Sequence, residues 1–206
     1  MQRCKRFAAI AIVVAGGTGA QAQNLIVNGS FEKPVVTAGG TSSFVTGDAF
    51  FGWNVVGANG DVAVTSDQFA SRGFVFPAQS GAQWLDLSGT LDMANVGVEQ
   101  TVSTTRGAKY ELAFSVGNVF DAKGPFGTSS RVDVFINGVL AMSAIALAGN
   151  DATMTWQNFS YKFVAGSGKT TIAFINADPQ GDQICGLDSV SLLASANSRV
   201  EDSAAP

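Results

Sequence analysis

Residues 109–117 alternate strictly: Tyr110, Leu112, Phe114 and Val116 fall on one side of an extended backbone, and Glu111, Ala113 and Ser115 on the other. A helix turns every 3.6 residues and cannot hold such a set on one face, whereas a strand does so by its geometry. The same period of two returns in residues 157–164 through Phe159, Tyr161 and Phe163, and in residues 131–136 through Val132, Val134 and Ile136. No window carries a long amphipathic helical period. Short runs of β-formers are instead punctuated by glycine and asparagine turns, a spacing that predicts about eight to ten strands and hence an all-β jelly-roll β-sandwich of two antiparallel sheets.

Local signals set the expected strand order. Asn137-Gly138 between two apolar runs predicts a hairpin with a two-residue type I′ turn. Residues 96–102 and 109–117 read as a second hairpin closed through Thr104-Thr105-Arg106-Gly107. Residues 35–47, 66–81 and 118–130 are rich in small and polar residues and read as surface connections.

The first 22 residues stand apart from this pattern. Arg3, Lys5 and Arg6 precede an apolar run from 7 to 15, and Ala20-Gln21-Ala22 offers a small-x-small cleavage site, so 1–22 reads as a secretory signal peptide. The apolar run is too short for a membrane span. The expected product is a secreted protein, extracellular or periplasmic and not inserted in a membrane, with one domain over 23–194 and a disordered tail over 195–206. Its formal net charge is −4, and loss of the leader removes three basic residues and no acidic one. That balance argues against nucleic acid as a partner. Only Cys185 survives processing, so no internal disulfide is available. The chain has no histidine, which excludes the usual Ser-His-Asp and Cys-His nucleophile systems and every histidine-ligated metal site.

Two carboxylates sit near the ends of the expected domain. Glu32 follows the apolar run Leu25-Ile26-Val27 and the turn Asn28-Gly29, and Asp188 opens a strand whose Val190 and Leu192 point inward. If the first and last strands are neighbours, the two carboxylates meet, and a cation would keep both ionised. Taken in order, Asn28 to Glu32, Gly52-Trp53, Leu85 to Gly89, Gln100 to Val102, residues 107–112, Trp156 and residues 188–192 resemble the galactose-binding-like jelly roll. Within that group the chain is most similar to the domain of unknown function 642, a family of secreted cell-wall proteins, and more distantly to β-sandwich carbohydrate-binding modules. The resemblance implies a structural Ca²⁺ held by Glu32, Asp188 and the carbonyl of Ser30. It also implies that Trp53 and Trp156 belong to the core.

The residues themselves offer two candidate binding platforms on loops. Phe74 and Phe76 lie beside Arg72, and Phe126 lies near Asp121 and Lys123; each set joins an apolar ring to hydrogen-bonding groups, as polysaccharide sites do. The competing account folds these rings back over the end of the sandwich. Trp84 alternates with Leu85 and Leu87 and so occupies the face opposite Leu85, free for a ligand or for packing. Glu99 and Glu111 on the expected hairpin form a facing pair of carboxylates of the kind a glycoside hydrolase uses; a solvated sheet face is the plainer account. The sequence therefore predicts a non-catalytic carbohydrate-binding or matrix module, with a cell-envelope protein as the alternative partner.

Overall fold

The computed structural model describes residues 23–181 and 183–195; the expected signal peptide and the tail beyond Ser195 lie outside the described residues. Among these, the strands in chain order are β1 (Thr41–Val45), β2 (Ala49–Phe50), β3 (Trp53–Gly57), β4 (Asp61–Ser66), β5 (Ala70–Ser71), β6 (Phe74–Val75) and β7 (Gln83–Asp86). They continue with β8 (Val96–Ser103), β9 (Lys109–Asn118), β10 (Ser130–Ile136), β11 (Val139–Ala146), β12 (Thr155–Val164), β13 (Lys169–Asn176) and β14 (Gly186–Ala194). A front sheet runs β1-β4-β7-β14-β9-β12 and a back sheet β11-β10-β13-β8-β3-β2. The pairings within both are antiparallel, and the two sheets close an all-β jelly-roll sandwich.

The alternating faces set the core. Leu112, Phe114 and Val116 of β9 are buried inward, opposite Val132 and Val134 of β10 and Ile172 and Phe174 of β13. All ten residues of β12 pair with β9, the longest register in the molecule. Asn137 and Gly138 both take positive φ (50° and 78°), as a type I′ turn demands, and join Ile136 to Val139. Trp53 is fully buried between Phe31 and Phe174.

Three sequence expectations are corrected. Residues 96–102 and 109–117 form no hairpin: β8 pairs with β13 and β3 in the back sheet, and β9 with β12 and β14 in the front sheet, so the turn between them crosses the sandwich. An alternating strand states which face is inward but not which strand is its neighbour. Residues 35–47 contain β1, an edge strand of alternating burial that its Thr and Ser content disguises. Residues 25–27 form no sheet strand: the Leu192 carbonyl holds Leu25, and side chains hold Ile26 and Val27. The Gln100 amide brackets Val27 at both its N–H (2.8 Å) and its carbonyl (3.0 Å).

The two ends of the domain are neighbours. The Leu25 N–H donates to the Leu192 carbonyl (3.0 Å), Val190 N–H to the Gly29 carbonyl (2.8 Å), and Leu192 N–H to Asn24 Oδ1 (2.9 Å). Gly29 permits this approach, since a Cβ there would lie 2.0 Å from the Val190 carbonyl oxygen. Within β14, Ser189 adopts a positive φ of 54° and the register against β9 slips there. That bulge resets the alternation, so Leu187, Val190 and Leu192 all reach the core while Asp188 faces outward with its cross-strand partner Ser115.

Candidate functional site

The outer face of the front sheet is the chemically varied surface of the molecule, and its strands explain why. β4 is buried along all six residues and β7 along all four, more than one sheet face can bury. The inner side chains Val62, Val64 and Leu85 enter the main core; the outer ones, Ala63, Thr65, Trp84 and Asp86, lie under a strap formed by residues 67–82. A second apolar cluster sits between strap and sheet: Phe76, Trp84, Val119, Phe126, Met154 and Ile184, with Phe74 and Trp156 packed against it.

Two indoles and two carboxylates fasten the strap. Trp84 Nε1 donates to the Phe76 carbonyl (3.0 Å) and Trp156 Nε1 to the Pro77 carbonyl (2.9 Å). Asp188 Oδ2 accepts the N–H groups of Gln79 (3.0 Å) and Ser80 (3.1 Å), and Glu32 Oε1 those of Ala82 (2.9 Å) and Gln83 (3.2 Å). The Ser189 hydroxyl donates to the Gln79 side-chain oxygen. The strap thus gives carbonyls to indoles and amides to carboxylates, which satisfies backbone groups that lie outside any sheet ladder. Trp156 lies over the facing pair Gly117 and Gly186, where a Cβ on either would come within 3.0 Å of the ring.

The sequence-predicted platforms are corrected accordingly. Trp84 and Phe76 are fully buried and Phe126 is 3% exposed, so none presents a ring face to solvent. Phe74 is half-buried with its ring edge-on to Phe126, centroids 5.4 Å apart. Of the two accounts weighed for these phenylalanines, folding back holds, although they cover a sheet face rather than the end of the sandwich. Exposed rings gain nothing from water, and here each finds another ring. Asp121 closes its own loop: its N–H donates to the Gly127 carbonyl (2.7 Å) and its Oδ2 accepts the Phe126 N–H (3.3 Å), which seats Phe126 in the cluster. Arg72 and Lys123 are exposed on the strap and on that loop. Trp156 belongs to the second cluster rather than the main core, whereas Trp53 is in the main core.

Glu99 and Glu111 do not meet. Glu99 is on the outer face of the back sheet, between Asn54 and Ala173, and Glu111 is on the outer face of the front sheet, paired with Lys162 (3.6 Å). Stacked sheets lie about 10 Å apart and these side chains point away from one another, so the two cannot flank one glycosidic bond.

Glu32 and Asp188 do converge on the strap. Asp188 is fully buried, and burial pushes its carboxyl up to about 7; the N–H groups of Ser80, Ser189 and Gln79 pull it down, and the charge of Glu32 adds to the rise. The described residues hold no group of three or more Asp, Glu, Cys or His around one point. A hard cation there would draw its remaining oxygens from carbonyls such as that of Ser30, in the turn before Phe31, and from water.

Beside the strap a groove of about 260 Å³ opens on the same sheet face. Cross-strand partners make its floor: Thr41 beside Thr65, and Ala63 beside Asp86. Phe69 and Ser71 of the strap, with Phe126 and Ile184, wall it. Gly89, Thr90 and Asp92 form the rim. The buried Asp61 carboxylate holds that rim turn by accepting the N–H groups of Thr90 (3.0 Å) and Leu91 (2.9 Å) and the Thr90 hydroxyl (2.7 Å). Sequence reasoning missed this groove. Parity could have found Asp86, which alternates with Leu85 and Leu87 and shares a face with Trp84; Thr41 and Thr90 carried no signal.

A model of a family described as protein of unknown function (DUF642) matches residues 24–192. The chain belongs to that family. No curated protein sequence matches this DUF642 chain. Among solved structures it is similar to the Stig cyclase Fisc from Fischerella sp. TAU, solved in complex with (3Z)-3-(1-methyl-2-pyrrolidinylidene)-3H-indole. The identity is 19% and the TM-score 0.59, over 85% of the DUF642 chain and 98% of the cyclase. At that identity the likeness is one of fold. Looser superpositions relate it to a family 35 carbohydrate-binding module from Clostridium thermocellum (12% identity, TM-score 0.45, 76% and 99% covered). Another is to the CBM22-1 xylan-binding domain of Paenibacillus barcinonensis Xyn10C (16%, 0.46, 78% and 99%). The DUF642 domain has the all-β, two-sheet antiparallel sandwich fold expected from its alternating strands.

Proposed function

We propose that the chain is a secreted, non-catalytic carbohydrate-binding module of a cell surface or matrix, which receives a glycan on the outer face of its front sheet. The groove beside the strap carries this reading, because it sets hydroxyls and carboxylates against the edges of packed apolar side chains, the combination that suits a ring with polar hydroxyls and apolar C–H faces. A cyclase and sugar-binding modules can share one fold, so fold leaves catalysis open and side chains must decide it. The separation of Glu99 from Glu111, in a chain without histidine, supports binding over hydrolysis. Retention of the mature protein on insoluble polysaccharides, read together with a glycan array, tests the reading. Binding to at least one polysaccharide is expected, and silence across neutral and acidic glycans overturns it.

The same reading includes a structural Ca²⁺ held by Glu32, Asp188 and the Ser30 carbonyl. Its support is the convergence of two carboxylates, one of them fully buried, on a single stretch of strap. Bound there, the ion would supply charge neutralisation and tie the start and end of the domain to the strap; no step of recognition passes through it. Saturating Ca²⁺ is expected to raise the melting temperature of chelated protein, by about 3 kcal/mol of stability at a hundredfold excess over the dissociation constant. Asp188→Ala should abolish that response. A melting temperature indifferent to both chelator and Ca²⁺ removes the ion.

A second reading, a module that adheres to a cell-envelope protein, draws on a different surface. Edge strand β11 exposes Val139, Leu140 and Ile145, and Leu147 follows it, also exposed. An apolar sheet edge of this kind favours contact with another polypeptide.

A further inference from the structure

We propose that the outer face of the front sheet carries a second glycan subsite, on β9, β12 and β14, which recognises the acetamido group of an N-acetylated sugar; the inference rests on the carbohydrate-binding reading and gives it a substrate class. A hollow of about 360 Å³ lies there, lined by Gln79 of the strap, Ser189 of β14, Ala113 and Ser115 of β9 and Asn158 of β12. It shares no lining residue with the groove. Register explains its position: the outward pairs along β9 and β12 are Gly117 with Trp156, Ser115 with Asn158, Ala113 with Ser160, and Glu111 with Lys162. Short side chains thus lie between a bulky indole at one end and an ion pair at the other. No charged side chain lines the hollow. The Ser115 hydroxyl donates to Asn158 Oδ1 (2.8 Å) and the Ser189 hydroxyl to the Gln79 side-chain oxygen, so both amide oxygens are engaged. What stays open among the described residues is a pair of amide N–H₂ groups, which only donate, and the lone pairs of two serine oxygens, which accept.

An acetamido group complements this set of open groups. Its carbonyl only accepts and suits the amide N–H₂ groups, its N–H donates and suits a serine lone pair, and its methyl needs an apolar neighbour, which Ala113 provides. A sugar hydroxyl offers one oxygen that must both donate and accept, and it brings no methyl. Amide donors covered by such a ligand without an acceptor lose their water and gain nothing in return, so the hollow discriminates against the plain hydroxyl as well as for the acetamide. The lack of any lining cation turns the same surface away from a carboxylate, which would leave water for a site that cannot balance its charge. Asn158 is exposed on an edge strand and Gln79 is exposed on the strap, so a polysaccharide chain reaches both amides from solvent.

Calorimetric titration of the mature protein with chito-oligosaccharides and with cello-oligosaccharides of equal length tests this, since the two share one glucosyl backbone and differ at the 2-position, acetamido against hydroxyl. The expected result is tighter binding of the chito series by about tenfold or more, the size of one well-made hydrogen bond kept or orphaned. Asn158→Asp keeps the oxygen that Ser115 uses and replaces the N–H₂ group by an acceptor, and Asn158→Ala removes the amide outright. Both should erase the preference while leaving the melting temperature in place, because the position is exposed. Chito-oligosaccharides bound no better than cello-oligosaccharides, by a protein that does retain some polysaccharide, overturn the acetamido assignment while glycan binding stands. A preference that survives either Asn158 variant overturns the site. Absence of binding to every polysaccharide defeats the carbohydrate-binding reading itself, and the subsite with it.

Discussion

Trp84→Ala is expected to destabilise the domain by about 3–5 kcal/mol, the range for removing a large aromatic from a packed interior. Trp84 is fully buried, its ring lies 6.1 Å from that of Trp156 and 6.4 Å from that of Phe76, and its Nε1 holds the Phe76 carbonyl. Truncation would leave a cavity beneath the strap and an unpaired carbonyl. For a domain of this size each kcal/mol moves the melting temperature by about 2–4 °C, so a fall of about 6–20 °C should appear in a thermal scan. Trp84→Phe separates the two contributions: it restores most of the buried ring and loses only the hydrogen bond, at a cost of about 1–3 kcal/mol for the orphaned carbonyl. A tryptophan serving as an exposed sugar platform gives the opposite pattern, lost binding with unchanged stability. A melting temperature within a degree or two of the parent in Trp84→Ala would show that the second apolar cluster does not hold the strap.

The second cluster also marks where sequence reasoning stops. Alternation identified the inward faces of β9 and β10 residue by residue, because period two is a local property and both strands cross a single core. The I′ turn at Asn137-Gly138 was equally plain, since its residues encode the backbone conformation directly. Alternation fails where a sheet is covered on both sides. Trp84 and Asp86 occupy the polar parity of β7 yet are buried, and nothing within four residues of them reports that a strap from residues 67–82 crosses above. Partner choice is illegible for a related reason: β8 and β9 have the pattern and spacing of a hairpin, but the eight-residue and ten-residue strands each satisfy their edges better in different sheets.

The candidate site divides along the same line. Glu32 and Asp188 were found because the ends of a jelly roll are neighbours, and the bonds from Leu25 to Leu192 and from Val190 to Gly29 bring them together. What they grip was not legible, since the amides of Gln79 to Gln83 are backbone groups with no sequence signature. The groove was missed for want of any residue type that points to it: threonines on a strand read as β-formers, and only the register of β1 on β4 and β4 on β7 turns Thr41, Thr65 and Asp86 into one surface.

Asp178→Asn is the substitution expected to stabilise. Asp178 is 4% exposed, and burial raises its carboxyl to about 6, against the pull of the Arg131 N–H, the neighbouring Cys185 thiol and the Arg131 charge. Its Oδ1 accepts that N–H (3.0 Å), but its buried Oδ2 has no hydrogen-bond partner among the described residues. Because the folded value lies above the unfolded one, the native state holds a proton that the unfolded chain has released between about pH 4 and pH 6. The unfolded state then binds fewer protons, so stability falls as pH rises through that window and the loss is complete above it. The shift corresponds to about 2–3 kcal/mol, at 1.36 kcal/mol per pH unit. An asparagine keeps an oxygen for the Arg131 N–H and carries no charge, so at pH 7.5 it should regain about 1–3 kcal/mol, less whatever its own buried amide N–H₂ forfeits. At pH 4, where Asp178 is itself neutral in the folded chain, the advantage should vanish. Parallel thermal scans of parent and variant across pH 4–8 read this as a difference, so that the separate rise of Asp188 cancels. Curves that run parallel across the whole window would mean that Asp178 is ionised in the folded protein throughout, with a counter-charge or ordered water supplying the partner its Oδ2 lacks.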